Sequence, residues 1–229
     1  MSNFSISNSG CEKIAVCFHD LSPQELDFIN SKKTDVTYLA GEMLFKQGAF
    51  APHLLLVLAG LVKVYLQTGN DKQVNLFLVK EGDFLAFPSV FGEPIYNYSA
   101  VALTDVQVCM IDKESMQHIL RKNAEFAMRI TSRNCRNESQ FLSIIHNITY
   151  RQMRGKLASA LLYLSNNDFQ DMNVFQYLTR QDIANFASIA TESAIKFLKE
   201  FEKEKIIALS GKDIHILDRK KMEEIEKWG

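Results

Sequence analysis

Residues 178–217 read LTRQDIANFASIATESAIKFLKEFEKEKIIALSGKDIHIL. Thr179 followed three residues later by Asp182 is a helix start, because the hydroxyl can accept the third amide while the carboxylate reaches back to the first. A short helix is expected over 179–186. Ala184 is small where a second helix must cross closely. Thr191 reads as the cap of that second helix, which runs on to about Glu204. Ile183, Phe186, Ile189, Ala194, Phe197 and Leu198 supply the packing between the two. Ile206 to Leu209, then Ser210-Gly211-Lys212-Asp213, then Ile214 to Leu217 read as strand, tight turn, strand. Helix, helix and hairpin in so short a span outline a winged helix-turn-helix, whose second helix enters the major groove of DNA.

The residue types on that second helix suit base reading. Glu192 can accept from cytosine N4, Ser193 can address several base edges, and Lys196 and Lys199 can reach guanine or phosphate. Arg180, beside Thr179 at the start of the first helix, is placed for a backbone phosphate, as is Lys212 at the wing tip. Thr191 completes the expected DNA-binding set.

Upstream, the text changes character twice. Residues 150–164 carry Met153, Leu157, Leu161 and Leu164 at helical spacing before Asn166-Asn167-Asp168 breaks the pattern. From Lys113 to about residue 148 the pattern is also helical. Ile130, Asn134, Asn137, Phe141, Ile144 and Ile148 alternate steps of four and three, a heptad-like seam. A long helix with one such stripe is most simply covered by a second copy of itself, which predicts a homodimer.

Between about Thr34 and Asp112, runs such as Val62–Leu66, Val74–Val79, Ser99–Leu103 and Val106–Ile111 read as strands. Glycines at 41, 48, 60, 69, 82 and 92 punctuate them, with Thr68-Gly69-Asn70-Asp71 as a hairpin tip. Turns at that interval predict a barrel or sandwich of short strands. Ser22, Pro23 and Glu25 form a capping-box start for a short leading helix. The fold class is therefore α+β. It comprises an N-terminal β-barrel of jelly-roll type with its leading helix (1–112), a long dimerisation helix (113–148) and a C-terminal winged helix-turn-helix (149–229).

Composition agrees with an ordinary globular chain, 47% hydrophobic and 23% charged. Against 26 Lys and Arg stand 27 Asp and Glu. The last third is barely positive, so DNA affinity has to come from where single cations sit rather than from bulk charge. No apolar run reaches the roughly 18 residues of a membrane span, and the N-terminus lacks a signal-peptide pattern. Four cysteines in a chain of this length do not make a disulfide framework. The expectation is a cytoplasmic protein with reduced thiols and no membrane partner. No P-loop, nucleophile elbow or kinase motif occurs, so no enzyme is expected.

Specific motifs sharpen this outline. Gly41-Glu42-Met43-Leu44-Phe45-Lys46-Gln47-Gly48, Gly60-Leu61-Val62-Lys63-Val64 and Gly82-Asp83-Phe84 lie in the barrel. Leu178-Thr179-Arg180-Gln181-Asp182-Ile183-Ala184 and Thr191-Glu192-Ser193 with Lys196 lie in the last third. On these, the chain resembles the CRP/FNR family of bacterial transcription regulators from about Leu21 to Asp218. The resemblance implies a cyclic-nucleotide-binding-type barrel, a dimerisation helix and a winged helix that bind palindromic double-stranded DNA, with RNA polymerase as a further partner. Departures are visible. The family's Arg-Glu-Thr is Thr191-Glu192-Ser193 here, its following Arg is Lys196, and its turn Gly is Ser188. A lysine is a point donor where arginine is a fork.

In cyclic-nucleotide-binding relatives a Glu holds the ribose and an Arg the cyclic phosphate. Here those pairs are Ala86-Phe87 and Tyr98-Ser99, and no Lys, Arg or His lies between Phe84 and Leu103. A buried phosphate would lack a counter-charge, so cyclic AMP binding is not expected. Phe84, Phe87, Phe91, Tyr96, Tyr98 and Ser99, with Phe141 and Leu142 on the long helix, either fill the old pocket or line a site for an apolar effector. The cofactor is unassigned. Oxygen-sensing relatives hold an iron–sulfur cluster on four cysteines, and Cys11, Cys17 and Cys109 resemble three of those positions; the fourth would be Asn8. Clusters want four thiolates, so packing roles are the expectation for these cysteines, with an FNR-type redox sensor as the alternative. A further alternative is an interaction module that has lost DNA binding.

Overall fold

In the computed structural model, residues 16–69 and 72–229 are described, and they divide into two compact units. The first comprises residues up to 67 together with 78–138. The second comprises 68–77 and 139–229.

A turn of 3-10 helix (Val16–Asp20) leads the first unit, followed by α1 (Pro23–Lys32). The Ser22 side chain accepts the Glu25 amide, Glu25 closes the capping box, and Pro23 sits inside the first turn, as the sequence predicts. Those hydrogen bonds from Ser22 hold the Glu25 carboxyl below its ordinary pKa. Eight strands follow: β1 (Thr34–Tyr38), β2 (Met43–Phe45), β3 (His53–Ala59), β4 (Val62–Gln67), β5 (Gln73–Val79), β6 (Phe84–Leu85), β7 (Ser99–Ala102) and β8 (Val106–Asp112). They form two antiparallel four-stranded sheets, ordered β1-β8-β3-β6 and β2-β7-β4-β5. This is the β-sandwich of the jelly-roll class.

Strand β3 is buried from Leu54 to Leu58, on both faces. Leu54, Leu56 and Leu58 join Phe18, Leu21, Ile29, Cys109, Ile111, Met116, Ile119, Phe126 and Ile130 in one apolar cluster. Gly60 turns the chain out of β3 with φ +92°. A Cβ there would meet the Asp105 carbonyl oxygen at 2.3 Å, so only glycine fits.

The segment expected as one helix over 113–148 is two. α2 (Lys113–Lys122) begins at Asp112, whose side chain accepts the Ser115 amide. Asn123 then ends α2 in extended conformation, and its side-chain oxygen accepts the Phe126 amide to restart the helix as α3 (Ala124–Tyr150). Asparagine competes for backbone hydrogen bonds in this way, which makes it a breaker inside a helical pattern.

In the second unit, α4 (Met153–Leu164) buries Leu157, Leu161 and Leu164. A turn of 3-10 helix (Asn167–Met172) and α5 (Val174–Tyr177) lead to α6 (Arg180–Ala187), α7 (Thr191–Lys203), the hairpin β9 (Ile207–Ser210) and β10 (Asp213–Ile216), and α8 (Arg219–Trp228). Arg151 Nη1 donates to Asn147, Ser159 and Glu226, tying the end of α3 to α4 and α8. Asn75 is buried in the same unit and donates through Nδ2 to the Asp182 carbonyl of α6, at 3.0 Å.

Candidate nucleic-acid interface

The helix-turn-helix is built from its caps inward. Thr179 is the N-cap of α6: its hydroxyl accepts the Asp182 amide at 3.0 Å, and Asp182 Oδ2 accepts the Thr179 amide at 2.9 Å. Ser188 closes α6 in the left-handed region, φ 53°, and the Ile189 amide returns to the Ala184 carbonyl. Its hydroxyl oxygen is buried without a hydrogen-bond partner. A residue with a side chain thus holds a turn that glycine would hold without strain.

The second cap differs from expectation. Ala190, not Thr191, is the N-cap of α7. Thr191 lies inside the first turn because its hydroxyl is captured by Gln181 of α6, donating to Oε1. Gln181 in turn donates to Asn185 at 3.0 Å. The Thr191–Gln181 bond thus links α7 to α6 at the exposed surface of the motif.

On α7, Ala194, Leu198 and Phe201 form the buried stripe. The opposite side exposes Glu192, Lys196 and Lys199, while Ser193 and Thr191 are half-buried at its edges. Lys212 is exposed at the wing tip. The far end of α7 is held by Arg154 of α4, which donates to both carboxylate oxygens of Glu204 at 2.7 and 2.8 Å. These hydrogen bonds, both from Nη2, hold the Glu204 carboxyl below its ordinary pKa.

Arg180 has a second occupation beside its expected phosphate contact. Its guanidinium donates to the Gly211 carbonyl at 2.9 Å and to the Lys212 carbonyl at 3.3 Å. Partial burial pulls its pKa below the ordinary arginine value. The residue pins the wing to the start of α6 and so sets where Lys212 stands.

The sequence does not single out the one large apolar residue that α7 leaves exposed. Ile195 is 38% exposed, between the charged stripe and the Thr191 edge. The signal was present: Ala194, Leu198 and Phe201 already complete the apolar stripe, which leaves Ile195 off it.

The residues of the expected dimer seam have different surroundings. Ile130 is 2% exposed and belongs to the apolar cluster of the first unit, so it is unavailable to another chain. Phe141 packs edge-on against Phe77 at 5.7 Å, and Ile144 is half-buried within the second unit. The side chains of Asn134 and Asn137 lie outside the described residues. Among the described side chains of α3, the large apolar ones left exposed are Met128, Leu142, Ile145, Tyr150 and, from the expected seam, Ile148. Leu142 and Ile145 lie one residue on from the expected Phe141 and Ile144.

The expected effector residues also divide. Phe84 and Phe87 pack on the apolar cluster, Phe84 also touching Phe18. Tyr98 is buried, and its hydroxyl accepts the Ala86 amide at 2.9 Å. Burial pushes its pKa up to about 12. Tyr96 is buried and stacks on Phe45 at 4.0 Å. Ser99 is buried and its Oγ accepts the Gln47 amide. Phe91 is exposed rather than lining, and Leu142 is exposed on α3. Cys109 is fully buried in the apolar cluster. Its apolar surroundings fit the packing role expected for it. Cys11 and the Cys17 side chain lie outside the described residues.

Comparison with known proteins places these pieces. The family model of the cyclic nucleotide-binding domain matches residues 35–123, and that of the Crp-like helix-turn-helix domain matches residues 155–225. The anaerobic regulatory protein of Bacillus subtilis is 29% identical over 180 residues, 75% of each chain. The fumarate and nitrate reduction regulatory protein of Vibrio cholerae is 26% identical over 209 residues, covering 88% of this chain and 81% of that one. The solved structure of FixK2 from Bradyrhizobium japonicum superposes with a TM-score of 0.75 at 15% identity, covering 85% of this chain and 97% of that one.

Proposed function

Because the chain belongs to the CRP/FNR family of transcription regulators, we propose that it works as a homodimer that reads a palindromic DNA site with α7 and does not respond to cyclic AMP. The observation that carries the DNA reading is the face of α7. Glu192, Lys196 and Lys199 stand exposed on a helix whose other side is locked by Ala194, Leu198 and Phe201. Thr191 is held by Gln181 at the edge of that face, and Arg180 fixes the wing that carries Lys212. The cations supply phosphate contacts and Glu192 supplies discrimination.

The dimer uses the exposed side of α3. Leu142, 67% exposed, with Ile145 and Ile148 makes an apolar strip that water would otherwise cover. Two-fold symmetry then spaces the two copies of α7 by about one helical turn of DNA, roughly 34 Å.

Independence from cyclic AMP rests on Tyr98 and Ala86. An anion at this place would need backbone amides and a counter-charge. The Ala86 amide is already taken by the Tyr98 hydroxyl, and no cation lies between Phe84 and Leu103. The described residues therefore do not fit a cyclic phosphate. The protein acts in the cytoplasm with DNA and RNA polymerase as its partners.

Selection of bound duplexes from a randomised pool by the full-length protein tests this reading. A symmetric consensus of two half-sites about 10 base pairs apart is expected. Recovery of unselected sequence would overturn it. Titration with cyclic AMP should give no micromolar binding, and such binding would overturn the assignment of Tyr98 as occupant of that amide.

A further inference from the structure

Ile195 is the one large apolar side chain left exposed on α7. Its neighbours on the helix surface, three and four residues away, are Glu192, Lys199, Thr191 and the buried Leu198. The first two are exposed. Thr191 has its hydroxyl turned to Gln181, which leaves its methyl group as the part of the side chain not committed to a polar partner. The Thr191 methyl and Ile195, four residues apart, thus form a short apolar strip beside the acceptor Glu192.

Resting on the DNA-binding reading above, we propose that Ile195 is a specificity-determining residue that recognises the 5-methyl group of a thymine. The major groove offers one apolar feature to a side chain, the thymine methyl, and an aliphatic residue is its complement. Spacing narrows the choice of thymine. Residues 192 and 195 are separated by about 4.5 Å along the helix axis, against 3.4 Å per base pair. Ile195 therefore addresses the base pair next to, or one beyond, the pair whose cytosine Glu192 reads. Lys196 and Lys199 flank the strip with positive charge, which suits a polyanion and disfavours an uncharged protein surface as its occupant.

The test uses the full-length protein and the duplex it selects from a random pool. Each thymine is replaced singly by deoxyuridine, which removes only the methyl, and affinities are compared by competition gel shift at fixed salt. Wild type should weaken about four-fold at one thymine within two base pairs of the cytosine whose preference is lost in Glu192→Ala. Four-fold corresponds to ~0.8 kcal/mol for one buried methyl-sized group. Ile195→Ala should bind the thymine and deoxyuridine duplexes equally, and Ile195→Val should keep most of the difference. Circular dichroism of both variants should match wild type, because the residue is exposed. A wild type indifferent to every thymine methyl, or an Ile195→Ala protein that keeps the four-fold difference, overturns the proposal. A wild type that selects no sequence refutes the DNA reading itself, and this inference with it.

Discussion

Ser188→Gly is the substitution whose sign follows most directly from the structure. Ser188 holds φ 53° at the end of α6, and its hydroxyl oxygen is buried with no partner. A residue with a Cβ in the left-handed region costs roughly 1 kcal/mol or more, and a buried hydroxyl without a partner costs roughly 1 kcal/mol or more again. Glycine removes both. Against this stands the greater freedom of glycine in the unfolded chain, about 0.5–1 kcal/mol. The net is a stabilisation of about 1–2 kcal/mol. In a cooperative unit of about a hundred residues, such as the one that holds α6 and α7, that raises the melting temperature by roughly 5–10 °C. Differential scanning calorimetry of wild type, Ser188→Gly and Ser188→Ala gives the answer. Alanine removes the hydroxyl but keeps the Cβ, so it should recover only the second contribution and lie between the other two. A glycine variant that melts at or below wild type would refute the account of this turn.

Arg180→Ala should release the wing and lose a cation together, weakening binding to every duplex by about ten-fold without changing the selected sequence; competition gel shifts on specific and scrambled duplexes check it. Leu142→Glu with Ile145→Glu should give a monomer by sedimentation equilibrium and abolish half-site cooperativity. Gly60→Ala should destabilise by about 3 kcal/mol or more, because its Cβ would overlap the Asp105 carbonyl oxygen at 2.3 Å in a left-handed backbone; chemical denaturation reads this. Tyr98 is pushed up to about 12 by burial, above its ordinary unfolded value of about 10. The stability it contributes is therefore complete below about pH 10 and is lost as pH rises toward 12, at about 1.4 kcal/mol per pH unit. Tyr98→Phe should flatten that part of the alkaline unfolding profile.

The last third of the chain was the most legible, and for a local reason. Thr179 with Asp182 closes its box within four residues, and Gly211 marks the hairpin without reference to anything distant. The four predicted strands appear as β4, β5, β7 and β8. Strand β3 was not legible as a strand. Its Leu54 to Leu58 run has no period of two, because both faces are buried. The outward side of α3 was only partly legible for a related reason: apolar residues facing the chain's own core and those facing outward repeat at the same spacing. Only packing shows that Ile130 and Phe141 look inward while Leu142 and Ile145 look outward. At the DNA face, residue types at 192, 196 and 199 were readable from the helix wheel. Side-chain geometry was not: the capture of Thr191 by Gln181 and the fork of Arg180 on the wing depend on contacts 10 and more than 30 residues apart.

The ratio of affinities for the selected palindrome and for a scrambled duplex of equal length, at one stated salt concentration, tests the central claim. Binding through α7 by a symmetric dimer predicts a ratio of about a thousand or more. It also predicts that the ratio collapses in Glu192→Ala while scrambled-duplex affinity stays within about two-fold. Equal affinity for the two duplexes would contradict the account.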